Sequence, residues 1–267
     1  MSGVSVRDDR GGDVRLQRLD SCMGSIRSLV RVAMLAWFAA TGQVHAAVTL
    51  ETLHMLGGSD GAVPMSGLVL GKDGQYYGTT SEGGADDLGT VFRMTRHGEF
   101  TTLYSFGGAD GQVPEAELVQ GADGFFYGTT YGGGANDLGT VFRISADGEL
   151  TTLHSFNGSD GSQPIAGLVQ GSDGDFYGST FFGGANDDGT LFKITRHGTL
   201  TTLHTFDNAD GTLPDATLVA GKDGNFYGST LGSTAFRITP KGKFTMLHKF
   251  RAEEGLEPEG FVLGSDG

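Results

Sequence analysis

The feature that most constrains this chain is a period. One phrase, G-x-D-G-x-[FY]-Y-G-[TS]-T, opens at Gly71, Gly121, Gly171 and Gly221, three successive intervals of 50 residues. The rest of each unit keeps step. Phe92, Phe142 and Phe192 stand in G-T-[VL]-F-[RK], with Phe236 at the same place in a shortened fourth unit. Leu103, Leu153 and Leu203 stand in T-T-L-[YH]-[ST]-F, and Pro64, Pro114, Pro164 and Pro214 head the successive units. A fixed period of about 20 to 50 residues means a repeat architecture, in which each unit buries its apolar face on its neighbours.

Each unit reads as four short strands. In the second, Glu117 to Gln120 is strand a, Phe125 to Tyr131 is b, Thr140 to Ser145 is c and Leu150 to Phe156 is d. Asp123-Gly124 and Asp147-Gly148 are tight turns between them, because this dipeptide readily takes positive φ. The strands are rich in Phe, Tyr, Val, Leu and Thr, and no segment shows a sustained helical period. Four antiparallel strands repeated every 50 residues predict an all-β, β-propeller-like array of blades. The alternative is a β-solenoid, whose coils repeat faster and lack tight hairpin turns. The units fall near 65–106, 115–156, 165–206 and 215–250, with a lone strand d at 48–56 and a lone strand a at 259–267. Joined, those ends would make a blade lacking b and c, so a truncated frame is expected.

Adjacent aromatic residues in strand b point to opposite faces. Tyr77, Tyr127, Tyr177 and Tyr227 are therefore expected in the core with Phe92, Phe142, Phe192 and Phe236, rather than stacking on a ligand. Gly128, inside strand b, should admit a close neighbour.

Residues 1–46 stand outside the repeat. Arg27 and Arg31 precede the apolar run Val32 to Ala40, and Val44-His45-Ala46 ends in small residues, the pattern of a secretory signal cleaved near Ala46. The run is too short for a membrane span. Met23 is a candidate start as well as Met1. Without 1–46 the chain keeps 12 basic and 28 acidic residues, a net charge of −16, and loses its one cysteine, Cys22. That charge argues against nucleic acid or anionic membrane as partner. The expected location is secreted or cell-surface.

The phrases G-x-D-G-x-F-Y-G-T-T, G-G-A-N-D-x-G-T-x-F and T-T-L-H-S-F resemble the GloVer tandem repeats of exported bacterial proteins, also described as choice-of-anchor proteins. The resemblance covers essentially all of 48–267. It implies an exported or surface-attached, propeller-like protein with a variable C-terminal anchor, and brings no catalytic residue. The chain departs from it by reading no anchor before Gly267.

No zinc-protease helix or phosphate loop is present. His54, His154, His204 and His248 share one position on strand d, with Tyr104 in the same place, and a residue repeated in every blade reads as structural. No cofactor is expected. Strand parity places the a–b and c–d turns at one edge and the b–c loops and d–a connections at the other. The second edge collects Asp60, Asp110, Asp160 and Asp210 in connections, with Asp86, Asp87, Asn136, Asp137, Asn186, Asp187 and Asp188 in b–c loops. Hard oxygen ligands there suit calcium or a polyhydroxylated ligand such as a surface glycan. A protein partner is equally open, and turn-making or solubility alone would also account for these residues. The fourth unit has lost six residues from this loop and should contribute least. The expected role is a binding or display module. The alternatives are a propeller enzyme of lactonase or lyase type, and a structural fragment without activity.

Overall fold

The computed structural model describes residues 6–7, 13–14, 50–255, 258 and 260–264. The chain divides into two units, Met1–Gly42 and Gln43–Gly267. In the first, β1 (Val6–Arg7) pairs antiparallel with β2 (Asp13–Val14). The expected signal segment lies outside the described residues.

The second unit holds four separate sheets of four antiparallel strands, each in simple meander order. Blade one is β3 (Val69–Leu70), β4 (Tyr76–Thr80), β5 (Thr90–Met94) and β6 (Phe100–Ser105). Blade two is β7 (Val119–Gln120), β8 (Phe126–Thr130), β9 (Thr140–Ile144) and β10 (Leu150–Ser155). Blade three is β11 (Val169–Gln170), β12 (Phe176–Thr180), β13 (Thr190–Ile194) and β14 (Leu200–Thr205). Blade four is β15 (Val219–Ala220), β16 (Phe226–Thr230), β17 (Thr234–Ile238) and β18 (Phe244–Lys249). The architecture is all-β and propeller-like. Separate antiparallel sheets exclude the solenoid alternative, whose coils would share continuous sheets.

The core lies between blades. Tyr77, Val91 and Phe106 of blade one meet Leu118, Phe126, Phe142 and Ile144 of blade two, and the same set recurs at the next two interfaces. Tyr77 stacks on Phe126 at 3.9 Å, Tyr127 on Phe176 at 3.8 Å and Tyr177 on Phe226 at 3.9 Å between ring centroids. Strand b therefore sends its Tyr forward and its Phe backward, which is why both faces must be aromatic. Burying one such ring stabilises by about 1.5–3 kcal/mol. Gly128 is needed for the same reason: a Cβ there would lie 2.6 Å from Phe142 Cζ and 2.8 Å from Leu118 Cδ2.

Phe92, Phe142, Phe192 and Phe236 are buried as expected, and so are Tyr77, Tyr127 and Tyr177. Tyr227 is only half-buried, because no ring among the described residues covers the outer face of blade four. Strand a shrinks to two residues because only those two pair with strand b. The expected lone strands do not form among the described residues of 48–56 and 259–267, since no neighbouring strand is there to pair with them. Among the described residues, no helix is long and apolar enough to cross a membrane.

A loop edge with one irregular station

At the base of each b–c loop two buried threonines clamp the strands. Thr80 and Thr90 Oγ1 are 2.8 Å apart, Thr130 and Thr140 2.9 Å, Thr180 and Thr190 2.9 Å, and Thr230 and Thr234 2.8 Å. The second threonine also donates to the connection, Thr140 Oγ1 to Asp110 O at 3.2 Å and Thr190 Oγ1 to Asp160 O at 3.1 Å. Loop and connection are thus fixed to one frame. The residue before each unit's proline bears strain: Val63, Val113, Gln163 and Leu213 all have φ between 52 and 57°. Positive φ is costly for such side chains. Bonds on both sides hold it, Val113 N donating to Leu88 O and Val113 O accepting from Tyr131 N.

The acidic residues named from sequence do lie on these loops and connections, and most serve the backbone. Asp60 Oδ1 accepts from Gly57 N at 2.6 Å, Asp110 from Gly107 N, Asp160 from Asn157 N and Asp210 from Asp207 N. Their Oδ2 atoms face the side chain six residues earlier. His54 Nε2 and His154 Nε2 hydrogen-bond Asp60 and Asp160 at 2.8 and 2.9 Å, and Tyr104 donates to Asp110. His204 Nε2 lies 2.9 Å from Asp210 Oδ2 without hydrogen-bond geometry. Burial lowers the pKa of His204, and Asp210 offsets this only in part. Burial works to raise the pKa of Asp60, but the bonds from Gly57, from His54 and from its own N–H outweigh it and hold the carboxyl below its ordinary range. Sequence reasoning treated these histidines as structural without finding their partners. The constant six-residue offset, His54–Asp60 to His248–Glu254, was the available signal.

In the loops, Asp87, Asp137 and Asp187 each accept from the N–H of Gly83, Gly133 and Gly183 at 2.8–2.9 Å. Asn136 and Asn186 Nδ2 donate to Phe156 O and Phe206 O. Asp86 and Asp188 have no side-chain partner among the described residues, and no group of three or more His, Cys, Asp or Glu there is placed to hold a metal ion.

One station on this edge breaks the repeat. In the regular blades the loop of the next blade closes onto the connection: Gly84 N donates to Gly58 O, Gly134 N to Gly108 O and Gly184 N to Gly158 O, all at 2.8 Å. Gly133 must be glycine, since a Cβ would lie 2.5 Å from Gly108 O. Leu88 and Leu138 pack beside Gly108 and Gly158 from the other side. At the last connection three things change together. The loop of blade four is cut to residues 231–233, the glycine becomes Asn208, and the leucine becomes Asp188. The result is an open depression of about 470 Å³ lined by Asn186, Asp188, Asp207, Asn208 and Ala209. Among the described residues the side chains of Asp188 and Asn208 make no hydrogen bond. The loop of blade four contributes no lining residue.

A comparison with curated protein sequences finds no match. Among solved structures, the chain is similar to virginiamycin B lyase from Staphylococcus aureus, with 21% identity and a TM-score of 0.50 over 67% of this chain and 54% of that one. It is also similar to a streptogramin B lyase, at 21% identity and TM-score 0.49 over 67% of this chain and 52% of that one. A Xanthomonas campestris gluconolactonase matches at 17% identity and TM-score 0.48 over 67% of this chain and 60% of that one. The chain thus spans about half the length of the lyases it resembles, and at such identity the likeness concerns the fold alone. The model of the Gloeobacter/Verrucomicrobia repeat matches residues 41–234, most of the chain and nearly all of its blades, so the protein belongs to that repeat family.

Proposed function

We propose that this protein is an exported binding module that takes a polyhydroxylated ligand, such as a surface glycan, at the last connection of its loop edge. The carrying observation is the coincidence of three departures from the repeat at one place, each of which adds polar surface or removes cover. An aspartate where two sister blades keep leucine turns an apolar position into a carboxylate that lines an open depression. Asp188 and the Asn208 amide offer acceptors and donors to hydroxyl groups, and Asn186 keeps its Oδ1 acceptor. Export rests on the basic–apolar–small pattern of 27–46, and N-terminal sequencing of secreted protein should read Ala47 first.

The test is a glycan array probed with residues 47–267, followed by calorimetric titration of the strongest neutral hit. Asp188→Leu with Asn208→Gly restores the regular residues at two of the three departures and should abolish binding. A hit that binds this double variant equally would overturn the reading. Calcium is the second ligand considered, and the titration is repeated with calcium and with chelator. Binding of calcium alone must raise the melting midpoint by mass action, and would transfer the site to a cation. A propeller enzyme of lyase or lactonase type rests on fold likeness only. Turnover of a lactone or of a streptogramin, lost in the same double variant, would establish it.

A further inference from the structure

Of the chain's asparagines, Asn136, Asn157, Asn186, Asn208 and Asn225, only Asn157 precedes a glycine. It opens the connection from blade two to blade three and is exposed. Its sisters are Gly57, Gly107 and Asp207, so no other connection carries an amide at this place. Its side chain is held at both ends. Oδ1 accepts from Ser159 N at 3.0 Å, from Ser159 Oγ at 2.6 Å and from Asp160 N at 3.4 Å. Nδ2 donates to Asp160 Oδ2 at 2.8 Å, and the same oxygen meets His154 Nε2 at 2.9 Å. The next backbone nitrogen belongs to Gly158, which sits at φ 87° and has no Cβ to shield that nitrogen. The other asparagines lack this combination. Asn136 and Asn186 precede Asp137 and Asp187 and give their amides to Phe156 O and Phe206 O. Asn225 precedes the buried Phe226, which starts β16.

We propose that Asn157 is a self-modifying site, at which the chain converts its own side-chain amide into a carboxylate. The Gly158 nitrogen loses its proton to solvent and bonds to Asn157 Cγ. Negative charge then develops on Oδ1, where two backbone N–H groups and the Ser159 hydroxyl already converge as an oxyanion hole. The Cγ–Nδ2 bond breaks, Nδ2 takes a proton from water, and ammonia leaves. A second water opens the resulting cyclic imide at either carbonyl, which leaves aspartate or isoaspartate at this position. Both products carry a negative charge that the amide lacked, where blade four's connection already has Asp207. Isoaspartate also adds a methylene to the main chain directly before Gly158, whose carbonyl accepts the loop-closing bond from Gly184 N. The modification therefore loosens here the closure that the last connection has lost by sequence.

The experiment is a timed incubation of the full chain, folded, in mildly alkaline buffer. Peptide mass spectrometry reads the amide-to-acid mass change at each asparagine, and electron-transfer fragmentation separates aspartate from isoaspartate. The expected result is conversion at Asn157 ahead of every other asparagine. Ser159→Ala removes the side-chain donor to Oδ1 and should slow conversion about tenfold, the worth of one hydrogen bond to a charged oxygen. Ser159→Thr keeps a hydroxyl and should restore the rate. In urea the parent and Ser159→Ala should react alike, because the oxyanion hole exists only in the fold; this separates the site from the ordinary lability of an Asn-Gly sequence. Ser159 is exposed, so both variants should fold, and an unchanged melting midpoint checks it. An intact Asn157 while another asparagine converts would overturn the proposal, as would a folded Ser159→Ala chain that converts as fast as the parent.

Discussion

Consider the matched pair Tyr177→Ala and Tyr227→Ala. The two residues share one repeat position and one strand, and both hydroxyls donate to the turn aspartate of their own blade, at 2.7 and 2.9 Å. They differ in cover. Tyr177 is fully buried and stacked on Phe226, whereas Tyr227 has half its cover. Truncating a fully buried aromatic leaves a cavity and costs about 3–5 kcal/mol. For a domain of this size that lowers Tm by about 6–20 °C, at roughly 2–4 °C per kcal/mol. Truncating Tyr227 opens no enclosed cavity and forfeits about 1–2 kcal/mol of partial burial. The assay is urea unfolding of residues 47–267 at a concentration where the chain is monomeric. It is followed by tyrosine fluorescence and far-ultraviolet dichroism, since long arrays can lose two-state behaviour and coincident curves are required. Tyr177→Phe, which keeps the stack and removes only the bond to Asp173, should cost about 1 kcal/mol. Equal losses for the two alanine variants would refute the reasoning, because they would mean that burial between blades does not set the energetics of this position.

Gly128→Ala should destabilise by about 1–3 kcal/mol through overpacking against Phe142 and Leu118, and Leu118→Ala in the same chain should recover part of it. Acid should weaken the fold: the carboxyls of Asp60 and Asp73 sit below their ordinary range, because bonds to His54, Tyr77 and backbone N–H groups outweigh the effect of burial. Depressed carboxyls stabilise above an unfolded pKa of about 4, and that contribution disappears as pH falls through the folded values. Alkali should weaken it too. Burial, then the bond to the turn aspartate and its charge, raise Tyr77 and Tyr127 to about 12. The neutral ring is favoured, so this stability is complete below pH about 10 and is lost as pH rises through the folded value. A melting midpoint flat from pH 9 to about pH 12 would contradict this assignment.

The fold was legible because the period repeats every physical instruction. Asp-Gly turns, paired aromatics in strand b and the Thr-rich strand d each recur at the same offset, so a local ambiguity in one unit is settled by the next. Parity then assigned every loop to its edge without coordinates. The legible part of the site stopped at residue type. The acidic residues of the edge were found, but not that Asp60 and Asp160 are tied to the histidines six residues before them or that Asp137 and Asp187 are tied to glycine N–H groups. Those bonds depend on which way a side chain turns at a loop base, and composition carries no such information. The irregular station was written in the sequence as Leu138 against Asp188 and Gly158 against Asn208. It needed the structure because the two positions are 20 residues apart and are brought together only when the b–c loop folds against the connection that leaves its blade.

The threonine clamp has a consequence for how such a protein can change. In blades one to three the paired hydroxyls span a long loop, Thr80 to Thr90 being ten residues apart, and in blade four they span four, yet the contact is the same 2.8 Å. The clamp seals the strand ends below the loop, so the sheet does not register what is attached above it. Loop length can therefore change on a sheet that stays constant. A new recognition surface can be installed between the threonines where the loop's glycine against the preceding connection and its leucine against the inter-blade core are kept.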